Sequence, residues 1–483
     1  IYILASRDVK IERCKFSNNN IGIYISKSFR SITKNVVIND ALLEKNKNGL
    51  NLNGIVGITI SRVIIENNYV GAEISESENV NIEQCQINEN SVGFAMISSK
   101  NVKINNCFFT NNKEASKIKD TMFITITRSI YSNNTQGIKV GNSNSVAIRN
   151  AEIKSNLYGI ISNNTVGVLV ANSTVRSNRV GAMIFGGRNI TVMNTVVENN
   201  HVGIRAFADD VKLTKNIYSR NYYAIETRSW LIIYIPVVIN DSLLIYNTYG
   251  LYVMGEVGVG GGNPSSLLIE NITILNGKFG IFSNDSSFIA KNIVIKNHTT
   301  GIHIIHGSHI TITQCFLEDI DVGIGLTNFP YLVKVEKCKF SNFRYGIFQE
   351  KTHNSRYINN TFINGGTAIF ITRGTAEIGR NVINNNQVGI NITHSQAIDI
   401  YNNTIATNAY GIYLFNASHI SVKFNEFYEN SIGLYASDIV SSKPIAITDN
   451  TFSKNKIAVY LVKIRPYLAR NKFYANVNDI LEK

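Results

Sequence analysis

A short motif recurs along almost the whole 483-residue chain at a spacing close to 22 residues. It consists of an asparagine, two further residues, a glycine and an apolar–any–apolar triplet, as in NYVGAEI (68–74) and NRVGAMI (178–184). We call the glycine, or the alanine that replaces it, the anchor. The twenty anchors are Gly22, Gly49, Gly71, Gly93, Ala115, Gly137, Gly159, Gly181, Gly203, Ala224, Gly250, Gly280, Gly301, Gly323, Gly346, Ala368, Gly389, Gly411, Gly433 and Ala458. A fixed period of this length indicates a solenoid, whose coils bury apolar residues only against their neighbours.

The apolar residues of each repeat are mostly isoleucine and valine and alternate with polar ones, as in NVKINNCFFTNN (101–112). Alternation with period two and β-branched residues predicts strands. No segment has a sustained helical period, which argues against leucine-rich repeats. The sequence therefore predicts an all-β fold, a single parallel β-helix solenoid of about 20 coils and one domain over residues 1–483. Stacked at the usual strand spacing, these coils would form a rod roughly 95 Å long.

Composition excludes several other classes of protein. The chain is 44% hydrophobic and only 17% charged and has five prolines, unlike a disordered chain. The longest apolar run, Trp230 to Ile239, has ten residues and contains a proline, so no transmembrane segment is expected. The net charge of +13 is dispersed, which argues against specific nucleic-acid binding. Because the chain starts with Ile1 and no signal peptide is visible, we expect a processed or trimmed form.

Residues at one offset from the anchor should stack in a column along the solenoid. The column three residues before the anchor is asparagine in most repeats. Asparagine tolerates left-handed turns and bonds to local backbone, and stacked amides can also bond from coil to coil, so we predict a structural ladder. Its members are Asn19, Asn46, Asn68, Asn90, Asn112, Asn134, Asn156, Asn178, Asn200, Asn221, Asn247, Asn386, Asn408, Asn430 and Asn455.

The column eight residues before the anchor is small or polar and contains all five cysteines: Cys14, Cys85, Cys107, Cys315 and Cys338. Cys85 and Cys107 lie on adjacent coils, as do Cys315 and Cys338. The strand spacing is within the Cα range of a disulfide, and buried free thiols fit equally well. We favour free thiols, with no redox or metal role, so cysteine usage does not fix the compartment.

These features resemble the right-handed parallel β-helix superfamily, and within it the short repeats of CASH domains and NosD-like proteins. The resemblance covers Asn19 to Leu461 and rests on scaffold residues, so it concerns the fold more than an activity. It implies a right-handed solenoid and a secreted, periplasmic or cell-surface protein. Members of the superfamily include pectate lyases, polygalacturonases, alginate epimerases, phage tailspikes and adhesins.

An enzyme of this kind usually needs clustered acids on one outer face, and inverting hydrolases need two carboxylates about 6.5–9.5 Å apart. The chain offers Glu318, Asp319 and Asp321 within one coil, and the pair Asp209 and Asp210. The polygalacturonase segments NTD, DD, GHG and RIK and the epimerase DPH motif are absent. We interpret both groups as solvated turn acids, keep Glu318, Asp319 and Asp321 as weak catalytic candidates, and expect no enzymatic activity.

Histidine is locally dense, since His298, His303, His306 and His309 fall within one coil. A metal site would have to come from these four, because the next histidines at the same offsets lie several coils away. The resemblance to NosD-like proteins includes copper-linked members, which makes His303, His306 and His309 weak metal candidates. We nevertheless expect no metal ion or other cofactor.

Two regions depart from the uniform repeat. Residues 226–270 hold coils with inserted loops, one with Trp230 and Tyr234 and one with the glycine-rich stretch GEVGVGGGNP (255–264). Loops inserted on one face of a solenoid often carry binding. Residues 462–483 are predicted to form a C-terminal coil or cap.

The column two residues after the anchor should point outward. In the C-terminal half, seven of its ten members are aromatic: Tyr252, Phe282, Phe348, Phe370, Tyr413, Tyr435 and Tyr460. Exposed apolar surface usually marks an interaction site. Three interpretations stay open: a surface covered by loops or a terminus, a protein–protein or self-assembly face, and a stacking surface for sugars.

Twelve N-x-Ser/Thr sequons are candidates for glycosylation, which depends on export to a glycosylating compartment. They lie at Asn133, Asn163, Asn172, Asn189, Asn240, Asn271, Asn284, Asn297, Asn359, Asn391, Asn402 and Asn416.

The sequence thus favours a non-enzymatic, extracellular β-helix rod that acts as a cell-surface, filament or virion-fibre component in structure or adhesion. Expected partners are further copies of the chain or another surface protein, with glycans as an alternative. A polysaccharide-active lyase or glycoside hydrolase, or a carbohydrate-binding protein, is the first alternative function. A NosD-like periplasmic metal-assembly factor is the second, and a periplasmic location is the alternative to an extracellular one.

Overall fold

The computed structural model describes residues 1–229, 237–255, 267–438 and 445–483. Within these ranges every regular element is a β-strand. The strands wind a right-handed parallel β-solenoid of about 21 turns with a spacing of about 22 residues, which confirms the predicted fold class. The chain divides into two compact units, and each is described by itself. Unit 1 comprises Ile1–Thr227 and Ile235–Thr248, and unit 2 comprises Arg228–Tyr234 and Tyr249–Lys483.

A typical turn has three strands. The anchor strand carries the anchor residue as its second residue, as Gly71 does in Val70–Ser75. The anchor strands are Tyr2–Leu4, Ile21–Ser26, Asn48–Asn53, Val70–Ser75, Val92–Ile97, Glu114–Lys119, Gln136–Gly141, Tyr158–Asn163, Val180–Phe185, Val202–Phe207, Tyr223–Ser229, Tyr249–Gly255, Thr367–Thr372, Val388–Thr393, Tyr410–Phe415, Ile432–Ser437, Ile457–Val462 and Asn478–Glu482.

The second strand follows after one corner. The second strands are Arg7–Glu12, Thr33–Asn39, Ile55–Ser61, Glu78–Glu83, Lys100–Asn105, Met122–Thr127, Asn144–Arg149, Val166–Ala171, Arg188–Met193, Val211–Thr214, Val237–Asn240, Leu267–Glu270, Ile289–Lys291, Ser308–Thr313, Tyr331–Glu336, Ser355–Ile358, Ala376–Gly379, Gln396–Tyr401, Ser418–Lys423, Ala446–Thr448 and Tyr467–Ala469.

A short third strand leads back to the asparagine ladder. The short strands are Lys15–Ser17, Leu42–Glu44, Ile64–Glu66, Gln86–Asn88, Phe108–Thr110, Ile130–Ser132, Glu152–Lys154, Thr174–Arg176, Val196–Glu198, Ile217–Ser219, Leu243–Ile245, Thr361–Ile363, Val382–Asn384, Thr404–Ala406, Glu426–Tyr428, Thr451–Ser453 and Lys472–Tyr474. In four turns of unit 2 the short and anchor strands are continuous, as Thr273–Asn284, Val294–Ile305, Phe316–Thr327 and Lys339–Glu350.

Equivalent strands of successive turns pair in parallel and in register. In unit 1, Val80 faces Val102 and Ile82 faces Ile104, 22 residues further along the chain. In unit 2, Ile347 faces Ile369 in the same way. The inward residues of these strands are almost fully buried and form the core, because the inward apolar side chains of each turn pack against those of the next turn.

The corners between strands explain much of the asparagine content. One residue at each corner has a positive φ, such as Asn67 at 56° and Gln84 at 54°, and the next residue, Asn68 or Cys85, points inward and is buried. Asparagine adopts this left-handed conformation more readily than other residues with a side chain. A single corner can therefore contain two asparagines with different roles, one in the left-handed conformation and the next one buried in the ladder.

The predicted asparagine ladder is confirmed by hydrogen bonds between turns. Asn68 donates from its backbone nitrogen and its amide nitrogen to Oδ1 of Asn90, at 3.0 and 3.1 Å. The Asn68 amide also donates to the carbonyls of Leu43 and Glu66, both at 2.9 Å. Each buried amide therefore satisfies backbone groups of its own turn and of the preceding turn, and it donates to the amide oxygen of the next asparagine on the following turn.

A second polar ladder was missed from the sequence. It lies six residues after the anchor, where Ser77, Ser99, Thr121 and Ser143 are buried. The backbone nitrogen of Ser99 donates to Oγ1 of Thr121 at 3.5 Å, and that of Thr121 donates to Oγ of Ser143 at 3.2 Å. The small polar residues at this offset were the available signal.

The anchor glycines are explained by close approach of the backbone. A Cβ built on Gly181 would lie 2.5 Å from the carbonyl oxygen of Gly203 on the next turn.

Five free cysteines agree with the prediction of thiols rather than disulfides. Trp230, Tyr234 and residues 256–264 of the predicted insertions lie outside the described residues. Residues 467–482 form one further turn, paired with the turn before it.

Candidate functional site

The aromatic column of unit 2 lies on the outer surface of its anchor strands. At a typical turn, Gly346 and Ile347 are both buried, and Phe348 that follows them is half-buried and faces outward. All seven aromatic residues predicted for this column, from Tyr252 to Tyr460, have the same intermediate exposure. The predicted outward orientation is therefore confirmed, and the surface is not sealed by another described segment.

Rings on neighbouring turns stack face to face. The centroids of Phe348 and Phe370 are 5.3 Å apart with 7° between the ring planes. Tyr413 and Tyr435 stack at 4.8 Å and 8°. In-register pairing brings equivalent side chains to the strand spacing, which is close to the stacking distance of two rings.

A second outward column, immediately before the anchor, widens this surface and was missed from the sequence. It contributes Tyr249, Phe279, Tyr345 and Tyr410. Tyr345 contacts Phe348 with its ring edge at 5.5 Å, and Tyr410 contacts Tyr413 at 5.8 Å. Because the anchor and the residue after it both point inward, the outward positions on either side are three residues apart rather than two. A strict period-two pattern could not find the earlier one.

Two small or polar residues divide the rings into three clusters. Gly325 and Asn391 occupy the column at the gaps, where Gly325 pairs with Phe348 and Asn391 pairs with Phe370 and Tyr413. The first cluster is Tyr249, Tyr252, Phe279, Phe282 and His303, the second is Tyr345, Phe348 and Phe370, and the third is Tyr410, Tyr413, Tyr435 and Tyr460. We call these three clusters together the aromatic face.

The stacking geometry decides what the aromatic face can bind. Rings stacked on one another use their π faces internally and present mainly their edges to solvent. A sugar ring packs on an open π face, whereas another protein surface can pack between edges through apolar contact. The geometry therefore favours a protein partner over a glycan at the stacked pairs.

The acid group on strand Phe316–Thr327 does not form a pair of free carboxylates. Glu318 bonds to Lys296 Nζ at 2.6 Å. Asp321 bonds to Arg344 Nε at 2.7 Å, and the Asn342 amide donates to Asp319 at 3.0 Å. Each acid thus has a basic or amide partner on an adjacent turn, as expected for structural surface acids.

The histidines lie on different parts of their turn. His303 is on an anchor strand and has its Nε2 3.0 Å from Thr327 Oγ1, while buried His298 donates from Nδ1 to the carbonyl of Lys296 at 2.7 Å. Burial lowers the pKa of both imidazoles. His306 lies at a corner and His309 on a second strand. Among the residues that the structure describes, no three His, Cys, Asp or Glu side chains converge as a metal site.

The sequons largely follow from the fold. Eight of the twelve place their asparagine at a left-handed backbone position: Asn133, Asn172, Asn189, Asn271, Asn297, Asn359, Asn402 and Asn416. Four of these are followed by a buried small or polar residue and then by a threonine or serine that begins a strand, namely Asn172, Asn359, Asn402 and Asn416. The N-x-Thr pattern therefore has a structural origin, and glycosylation stays a prediction.

Unit 1 has a groove of about 580 Å³ on its anchor strands, which was not predicted. It is lined by Lys117, Ile118, Lys119, Lys139, Val140, Gly141, Asn142, Ile161, Asn163 and Phe185. Glu114 bonds to Lys139 at 3.0 Å and to Lys117 at 3.5 Å, so one acid is shared between two of the three lysines. The groove is positively charged on one side and apolar on the other.

The fold and its ladders define a parallel β-helix protein, and the comparisons agree. The family model "Right handed beta helix region" matches residues 1–135 and 117–260, more than half of the chain, so the chain belongs to this family. A second model, "Periplasmic copper-binding protein (NosD)", matches residues 331–478. No curated protein matches the chain as a relative.

Several solved structures are similar to the chain at low identity. A family 28 exopolygalacturonase from Yersinia enterocolitica is 12% identical, with a TM-score of 0.31, over 69% of this chain and 72% of that one. The A-module of a mannuronan C-5 epimerase from Azotobacter vinelandii is 8% identical, with a TM-score of 0.21, over 81% of this chain and 90% of that one. A PL6 family alginate lyase is 9% identical, with a TM-score of 0.22, over 99% and 96%. Within the described ranges no helix is long and apolar enough to cross a bilayer.

Proposed function

We propose that this protein is a non-enzymatic, secreted or periplasmic β-helix with a structural or adhesive role, and that its aromatic face binds a second copy of the chain. The observation that carries the proposal is the aromatic face itself. Eleven aromatic rings and His303 line the outer surface of unit 2 and stay partly exposed. Partly exposed apolar clusters on one side of a protein usually mark an interaction site.

A second copy is the partner that best matches the spacing of the face. The rings repeat at the strand spacing, about 4.8 Å. Another in-register solenoid or sheet presents side chains with this same repeat. The exposed ring edges of one copy can therefore lie between the exposed ring edges of the other. A two-fold contact of one surface with itself is also the commonest form of assembly between identical chains.

The proposal can be tested with the triple variant F348S/F370S/Y413S. We expect the parent chain to dimerise or form larger assemblies in sedimentation and light-scattering measurements, and the variant to be monomeric with an unchanged circular dichroism spectrum. The control is I161S/M183S, which alters half-buried residues of the same column in unit 1.

Three outcomes would contradict this proposal. A parent chain that is monomeric at all accessible concentrations would exclude self-association. If the triple variant fails to fold, the three aromatic rings are needed for packing within one chain, and the interpretation as a covered packing surface is favoured. Binding of a glycan by the parent, lost in the triple variant, would favour the sugar-stacking interpretation.

A carbohydrate-binding function is the second candidate, and the groove of unit 1 favours it. An acidic polysaccharide combines carboxylates with apolar sugar faces. The three lysines of the groove could pair with the carboxylates, and Ile161 and Phe185 could contact the apolar faces. Affinity electrophoresis in alginate or polygalacturonate gels, with neutral dextran as control, tests this candidate. We expect K117Q/K139Q to migrate without retardation if the groove binds; equal migration of parent and variant would exclude it.

The match of residues 331–478 to a periplasmic copper-binding family keeps a metal-assembly role as a further alternative. Its test is a copper titration followed by electron paramagnetic resonance on the parent, on H303Q/H306Q/H309Q, which alters the local histidine group, and on H353Q/H394Q/H419Q, which alters histidines inside the matched range. A bound-copper signal that disappears in either triple variant would support this alternative against the structural proposal.

A further inference from the structure

A polar pocket of about 390 Å³ lies at one corner of unit 2, away from the aromatic face. It lies where the anchor strands turn into the second strands. Arg373 and His394 occupy the left-handed corner position on successive turns, with φ of 53° and 49°. His353, Gln396 and Ser418 line the pocket from the side of the second strands.

The lining of this pocket is strongly biased toward hydrogen-bond donors. It contains one guanidinium, two imidazoles, the amides of Gln396 and Asn416 and the hydroxyl of Ser418, and no carboxylate. Within the part of the chain that the structure describes, the Arg373 guanidinium has neither an ion pair nor a hydrogen bond. An arginine beside several neutral donors, without a protein acid, is the arrangement that proteins use for oxyanions.

The floor of the pocket is held in place by the core below it. Buried Gln349 donates to the carbonyls of Thr352 and Thr375, at 2.9 and 3.2 Å. A Cβ on Gly374 would lie 2.7 Å from the carbonyl oxygen of Thr352, a backbone atom, which favours glycine there. The His394 ring is oriented by an edge contact with Phe415, at 5.6 Å between centroids. The backbone that carries the donors is therefore held in place, while the side chains of Arg373, His353 and His394 are themselves exposed and accessible to a ligand.

We propose that this corner pocket binds a tetrahedral oxyanion, a phosphate or sulfate group carried as a monoester on a larger molecule. Arg373 supplies a bidentate contact, and His353, His394 and Ser418 supply the remaining donors. The inference is independent of the aromatic face and of self-association.

Isothermal titration calorimetry at constant ionic strength tests the proposal. The probes are inorganic phosphate, inorganic sulfate, 4-nitrophenyl phosphate and 4-nitrophenyl sulfate, with chloride as the negative control. We expect saturable binding at one site, weakened about tenfold or more in R373Q, because a charge-assisted bidentate contact is lost. R373K should bind with intermediate affinity, since it keeps the charge and loses the fork geometry.

The matched control is R380Q, which removes an exposed arginine at another left-handed corner of the same turn, with φ of 57° for Arg380. R380Q should bind as the parent does. Equal weakening in R373Q and R380Q would show nonspecific charge attraction, and the absence of saturable heat with all four probes would overturn the proposal. The nitrophenyl esters distinguish a phosphate monoester from a sulfate monoester. The ester that matches the pocket in charge and geometry should bind more tightly than its inorganic ion, and the other ester should not.

Discussion

Oδ1 of Asn90 accepts two hydrogen bonds from Asn68, one from the backbone nitrogen at 3.0 Å and one from the amide nitrogen at 3.1 Å, across one full turn of the solenoid. This pair shows why the ladder needs asparagine. Aspartate has the acceptor and lacks the donors, and serine is too short to reach the carbonyls of two turns. The ladder therefore constrains the sequence as strongly as the apolar core.

Replacing Asn112 by alanine should destabilise unit 1 strongly. Asn112 accepts from the backbone and amide nitrogens of Asn90, at 2.9 and 3.0 Å, and donates to the carbonyl of Ile87 at 2.8 Å. Alanine leaves these buried groups without partners, so we expect the free energy of unfolding to fall by about 3 kcal/mol. Urea denaturation followed by circular dichroism measures this change.

The control for this prediction is Asn81→Ala, at a half-buried outward position of strand Glu78–Glu83. It should change the free energy of unfolding by less than about 0.5 kcal/mol. Similar losses in both variants would mean that the ladder is not a specific source of stability.

The cysteine columns predict a marked difference in thiol reactivity. Cys85 and Cys107 are fully buried, and the backbone nitrogen of Cys85 donates to Sγ of Cys107 at 3.5 Å. Cys315 and Cys338 are buried in the same way. Because the reagent must reach the sulfur atom, we expect only half-buried Cys14 to react quickly with Ellman's reagent in the native protein.

All five thiols should react in denaturant without a reductant. The variant C14S should show no fast reaction and should retain native spectra. A denatured, unreduced protein with fewer reactive thiols would instead reveal a disulfide between adjacent turns.

The fold could be predicted from the sequence because each position of the repeat recurs in the same structural environment on many turns. Period, strand type, anchor, ladder and the outward direction of Phe348 were all predictable, since residues at one offset share one environment. The column containing Tyr345 was not, because two consecutive inward residues at the anchor break the period of two. The groove near Lys139 and the pocket around Arg373 were also missed, because each depends on side chains from several turns meeting at a small residue.

Buried His298 and half-buried His303 should make unit 2 less stable as pH falls. Burial lowers the pKa of both imidazoles below 6.5, the ordinary value, so the unfolded chain takes up protons first. Stability should therefore be unaffected well above pH 6.5 and decline as pH falls through that value, until the folded-state imidazoles are protonated too. Thermal unfolding measured between pH 7.5 and 5 checks this direction.

The variant H298N keeps a donor for the carbonyl of Lys296 and cannot titrate, so its stability should depend less on pH. The control H306Q alters an exposed histidine at a corner, so it separates the loss of the buried ring from the loss of an imidazole as such. Parallel pH profiles for the parent and H298N would contradict the assignment.

The ion pair between Arg205 and Glu226 offers a test of charge burial on the anchor strands of unit 1. The two side chains are only 29% and 10% exposed, and Arg205 Nε donates to Glu226 Oε2 at 2.8 Å. Removing one partner leaves a carboxylate with little access to water, so R205M should lower the free energy of unfolding by about 2 kcal/mol. The double variant R205M/E226L removes both charges and should lie within about 1 kcal/mol of the parent. A double-mutant cycle from urea denaturation gives the coupling, and purely additive losses would show that the pair contributes no more than an exposed surface pair.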